Sequence, residues 1–104
     1  MDFRIIVLPS AESDLAEHFE TIARDSFERA CQWIDTAWSK IFSLREMPNR
    51  FAIIDESQEL GEPLRSILHH SHRIIYKVDE STQTIAIVRV WHQARSALRN
   101  SDLN

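Results

Sequence analysis

Glycine is nearly missing from this chain: there is one, Gly61, in 104 residues. A phosphate-cradling loop needs several positions without a Cβ, so P-loop and dinucleotide-binding folds are excluded. The Gly-x-Ser-x-Gly turn of the α/β-hydrolases is missing too. There is one cysteine, Cys31, so no disulfide can form within the chain. A lone thiol suits a reducing compartment, and a cytoplasmic location is expected. Neither Cys-x-x-Cys nor His-Glu-x-x-His occurs, so neither a metal site nor a cofactor is expected. No apolar run approaches the ~20 residues of a membrane helix. Met1 is followed at once by Asp2, Phe3 and Arg4, without a signal-peptide core. Positive charge is in deficit as well. Twelve Lys and Arg stand against 16 Asp and Glu, for a net charge of −4. That does not favour a protein whose main work is gripping phosphate backbones.

What is present describes a soluble globular chain, 43% apolar and 27% charged. Its length suits a single domain over residues 1–104. Charge is unevenly spread. Residues 12–28 carry Glu12, Asp14, Glu17, Glu20, Asp25 and Glu28, while residues 89–99 carry Arg89, Arg95 and Arg99 and no acid. Two faces of opposite sign are one consequence.

Phe3 to Leu8 is a β-branched and aromatic run closed by Pro9, which predicts a strand. Ser10 is a candidate N-cap for a helix over 11–25, with Ala11, Leu15, Phe19, Ile22 and Ala23 on its apolar face. A second helix is expected over 27–46. Its apolar positions Phe27, Ala30, Ile34, Ala37, Ile41 and Leu44 form a narrow seam, and Pro48 stops it. The two read as a helical hairpin. A single helix of some 35 residues is the alternative, since neither Gly nor Pro interrupts them. Phe51–Ile54 reads as a short strand or turn, and Asp55–Glu62 as a loop. Strands are expected over 64–69, 73–78 and 84–91, with a polar turn at 79–83. The last two are apolar on both parities, as central strands are. The fold class is therefore α+β: an N-terminal strand, then a two-helix hairpin packed on a small, mostly antiparallel sheet of three to four strands.

Five histidines are available, three of them close together: His69, His70 and His72. On one continuous strand His70 and His72 would share a face; at a hairpin turn the cluster would be polar turn material. Trp33 and Trp38 diverge by about 140° on the second helix, so one can enter the core while the other rests at its edge. Cys31 reads as a packed thiol, because no activating base lies near it in sequence. The stretch 73–95 carries most of the candidate chemistry. An apolar strand ends in His92 and Arg95, which brings polar groups to the rim of a rigid platform. The competing reading has Arg73 and Arg95 paired with acids of the first helix.

Three segments together resemble the RelE/ParE toxin superfamily of type II toxin–antitoxin systems. They are Val7-Leu-Pro-Ser-Ala-Glu-Ser-Asp-Leu15, Leu44-Arg-Glu-Met-Pro48, and Arg73-Ile-Ile-Tyr-Lys-Val78 followed by Val90-Trp-His-Gln-Ala-Arg95. The resemblance implies a toxin, associated with plasmid stabilisation and growth inhibition, that a cognate antitoxin neutralises. It leaves two activities open: inhibition of DNA gyrase, as in the ParE-like branch, or ribosome-dependent cleavage of messenger RNA without a metal, as in the RelE-like branch. An inactive relic that only binds antitoxin is a third possibility. For a nuclease, the resemblance makes Arg73, His92 and Arg95 the candidate catalytic residues. Arg73 and Arg95 would bind phosphoryl oxygens and His92 would move a proton. Arg65 and Arg89 are candidate target-binding residues. Past Arg95, where some nuclease members carry Tyr or His, this chain has Ala97, Leu98, Arg99 and Asn100. That departure, with the acidic net charge, leans toward the ParE-like branch.

Overall fold

The computed structural model describes residues 2–103. The chain runs β1 (Arg4–Val7), α1 (Pro9–Ala23), α2 (Phe27–Ser43), a 3-10 turn (Pro48–Arg50), α3 (Ser57–Leu60), β2 (Arg65–His69), β3 (His72–Asp79), β4 (Thr84–His92) and a last 3-10 turn (Asn100–Leu103). The strand order is β1-β4-β3-β2. β2, β3 and β4 are antiparallel neighbours, and β1 lies parallel to β4. This is the α+β architecture expected from the sequence.

The first helix begins earlier than expected, the second begins at Phe27 as expected, and both end sooner. Pro9 does not merely close the strand; it is the first residue of α1, where its missing N–H is no loss and its fixed φ already suits a helix. The N-cap is therefore Leu8, and Ser10 lies inside the helix. α1 ends at Ala23 rather than 25, and α2 at Ser43 rather than 46. Two helices form, not one. Ser26 adopts an extended backbone and its hydroxyl accepts from the Arg29 N–H, so it caps α2. Asp55–Glu62 is not wholly a loop, because Ser57–Leu60 makes one helical turn closed by Gly61 at φ 77°. Within the expected strand or turn at 51–54, Ile53 forms an isolated bridge to Arg65.

The apolar residues of both parities on β3 and β4 are explained by two clusters. On one face Ile74, Tyr76, Ile85, Ile87 and Val90 pack against Ala11 and Leu15 of α1 and Trp33, Ala37 and Ile41 of α2. On the other face Ile75, Val88 and Trp91 pack against Ile54, Leu64 and Leu98. A bulge in β4 places Val88 and Arg89 opposite Ile75, which keeps Val90 on the helix side. The Tyr76 hydroxyl, buried beneath the helices, donates to the Pro48 carbonyl at 2.6 Å, and burial pushes its pKa up to about 12. Trp33 is buried, whereas Trp38 rests half-buried against Phe42. No helix among the described residues is long and apolar enough to cross a membrane.

Candidate functional site

β1 is shorter than β4, and this mismatch organises one side of the molecule. The pairing runs from Arg4↔Thr84 to Val7↔Ile87. Leu8 N–H then donates to Ile87 O, and the chain turns into α1. Beyond Ile87 the edge of β4 has lost its partner strand. Asp14 of α1 takes over: its Oδ2 accepts the Val90 N–H at 2.9 Å and Arg89 Nε at 2.8 Å, while Oδ1 accepts Arg89 Nη2 at 2.7 Å. Arg89 also donates to the Asp102 carbonyl. The ion pair is well enclosed, with side-chain exposures of 14% for Arg89 and 9% for Asp14. The acidic helix and the basic strand thus join directly rather than forming two opposed faces.

Arg73 lies on the face turned away from α1 and α2. Its two Nη atoms reach the two carboxylate oxygens of Glu56 at 3.0 and 2.6 Å. Glu56 Oε2 also accepts the Leu98 N–H. The Arg73 hydrogen bond, aided by the Leu98 N–H and opposed by burial, holds the Glu56 carboxyl at about 2. Exposures of 21% and 13% for Arg73 and Glu56 leave little of the pair open to a ligand. Arg65 donates to the carbonyls of Asn49 and Phe51 and so fixes the segment before α3.

The five candidate residues therefore do not converge. Arg73 and Arg89 are each paired with a carboxylate, and Arg65 serves backbone carbonyls. The alternative pairing of Arg73 and Arg95 with the first helix is not what occurs either. Arg73 pairs with Glu56, and it is Arg89 that meets α1. Only His92 and Arg95 share a hollow, of about 150 Å³, with Asp14, Glu17, His18, Thr21, His72 and Val90. The Arg95 guanidinium lies 3.8 Å over the Trp91 ring. His92 Nδ1 accepts the Ala94 N–H at 2.9 Å, so in the neutral ring the proton sits on Nε2.

The histidine cluster also differs from both sequence readings. His69 and His72 are register partners across a tight hairpin, so they share a face and His70 sits in the turn at φ 54°. Neither is ordinary turn material: both are buried. His69 Nε2 lies 2.9 Å from the Trp33 carbonyl and must donate to it. Burial holds the His72 imidazole down at about 4, and His18, His92 and His69 push the same way. His18 is lowered by burial and then by His92; His69 is lowered mainly by burial. Among the described residues no group of three or more His, Cys, Asp or Glu is arranged to hold a metal ion. Sequence reasoning missed His18, Asp14 and Glu56 as partners. The only available signal was helical spacing, which puts Asp14 and His18 one turn apart on the same side of α1.

The family described as ParE toxin of type II toxin–antitoxin system, parDE, matches residues 5–97. No curated protein matches the chain significantly. Among solved structures the fold is similar to a chain of the RelBE2 toxin–antitoxin complex from Mycobacterium tuberculosis. That match has a TM-score of 0.65 at 18% identity, over 91% of this chain and 95% of the other. The helical hairpin and, apart from Arg4, the four-stranded sheet described above lie within the matched span, and the chain belongs to the ParE toxin family of type II toxin–antitoxin systems.

Proposed function

We propose that this toxin arrests growth in the cytoplasm by binding its target, with DNA gyrase as that target, and not by cutting RNA. One observation carries the reading: Arg73 is held in a two-point ion pair with Glu56. A guanidinium that stabilises a developing phosphoryl charge must have donors free to point at it. Glu56 neutralises Arg73 and holds two of its five N–H donors, and withdrawing the guanidinium would leave a largely buried carboxylate without its counter-charge. Purified protein tests this in two assays. Inhibition of gyrase supercoiling with intact message on translating ribosomes supports the reading; cleaved message with unimpaired supercoiling overturns it.

One observation favours the nuclease alternative, namely the hollow where His92 Nε2–H and Arg95 stand beside His18. A proton donor and a cation side by side are part of what RNA cleavage needs. The hollow also contains Glu17, which repels a phosphate, and this weighs against it.

A cognate antitoxin is the proposed protein partner. Phe42 and Met47 are 49% and 75% exposed. They line one hollow with Arg45 and Arg50, and Phe42 and Arg45 line a second with Phe3 and Arg4. Apolar anchors rimmed by arginines suit a partner segment that carries apolar side chains and acids.

A further inference from the structure

At one end of the sheet four imidazoles from four different strands and helices cluster, three of them against one indole. His18 comes from α1, His69 from β2, His72 from β3 and His92 from β4. Ring centroids lie 4.2 Å apart for His18–His72, 4.8 Å for His72–His92 and 6.5 Å for His18–His92. The Trp33 ring of α2 is 4.7 Å from His18, 5.1 Å from His69 and 5.6 Å from His72. Neutral imidazoles pack here as aromatic rings do.

The buried Nδ1 atoms of His69 and His72 offer a second proton no acceptor. His69 gives its Nε2 proton to the Trp33 carbonyl, so its buried Nδ1 is a bare lone pair without a partner. His72 Nδ1 is likewise buried and unpartnered. His92 Nδ1 accepts from Ala94, a bond that a proton on that atom would break. The charges facing the cluster offer little relief. From α1 come Asp14, already engaged by Arg89 and Val90, and Glu17, which is exposed and screened by water. Lys40 of α2, His70 of the hairpin turn and Arg95 beyond β4 all add positive charge, and Arg29 of α2 lines a hollow shared with His70.

We propose that His18, His69 and His72 form an acid-sensitive latch: uncharged, they hold the C-terminal half of α1 against the β2–β3 hairpin, and proton uptake drives the two apart while the rest of the sheet stays closed. The direction follows from linkage. An opened imidazole titrates near 6.5, whereas closed His72 stays neutral down to about 4. The latch is at full strength above pH 6.5 and weakens as pH falls toward 4. For His72 alone the opening constant rises about thirty-fold between pH 8 and pH 5. His18 and His69, lowered in the same sense, add to it.

Amide hydrogen exchange on the full chain, expressed as protection factors corrected for intrinsic rate, tests the latch. At pH 5 relative to pH 8 the amides of residues 19–23 and 68–74 should lose at least thirty-fold protection, while those of 85–87 change less than three-fold. His72→Phe keeps the ring and cannot take the proton, so its loss should shrink at least ten-fold. An equal loss across the chain, or the same local loss in His72→Phe, overturns the proposal. Should that variant not fold, the wild-type histidines titrated by NMR serve instead. His18 and His72 reporting midpoints below 5.5 upholds the latch; all five midpoints between 6 and 7 overturns it.

Discussion

A few carboxylates decide what the arginines of this protein can do. Asp14 serves at once as counter-ion for Arg89 and as substitute strand partner for Val90. Removing it leaves a well-enclosed guanidinium and a sheet-edge N–H both unpaired. Asp14→Ala should lower stability by about 3 kcal/mol in urea unfolding, and Asp14→Asn by roughly half, because the amide oxygen still accepts from Val90. Glu56 predicts a pH effect. Its carboxyl lies at about 2 when folded against an ordinary 4.5. A lowered carboxyl stabilises the folded state above pH 4.5 and loses that contribution as pH falls through 2. The loss amounts to roughly 3 kcal/mol over that window, and Glu56→Gln should flatten the acid limb of a pH–stability curve. None of these pairings could be read from sequence. Arg73 and Glu56 are 17 residues apart and Arg89 and Asp14 are 75 apart, and nothing local announces either. The positions of His92 and Arg95 at a strand's end were legible, because an apolar run that stops at polar residues marks a rim.

At the scale of elements the sequence was more informative, and its errors have causes. Strands β3 and β4 were readable because both parities are apolar, which only a sheet covered on two faces requires. The start of α1 was misplaced because Pro9 ends a strand and opens a helix equally well, and only the tertiary path decides. The break between the helices rests on Ser26 alone, with no Gly or Pro to mark it. Ser26→Ala should cost about 1 kcal/mol, while Ser26→Asp should cost little, since either oxygen can accept the Arg29 N–H. Thermal unfolding followed by circular dichroism measures both. The buried pairing of His69 with His72 was missed because three neighbouring histidines look polar until a two-residue turn places two of them under Trp33.

For the molecule as a whole, the acidic net charge and the two neutralised arginines both support the proposed reading, in which the toxin offers a shape to a protein rather than a charge to RNA. The exposed apolar side chains on and beyond α2 are then the place to weaken antitoxin pairing without touching the fold. Phe42→Asp and Met47→Asp should each weaken binding to the cognate antitoxin by ten-fold or more, about 1.4 kcal/mol, in titration calorimetry; Met47→Asp should leave the unfolding temperature unchanged, while Phe42→Asp, which loses its stacking on Trp38, should lower it slightly. Unchanged affinity in both would move the docking site elsewhere. The most direct measurement compares the two targets with one preparation of active toxin. DNA supercoiling by gyrase and integrity of message on translating ribosomes are followed over the same range of concentration. Loss of supercoiling with intact message is the predicted result; specific cleavage of message while supercoiling proceeds normally would contradict the account.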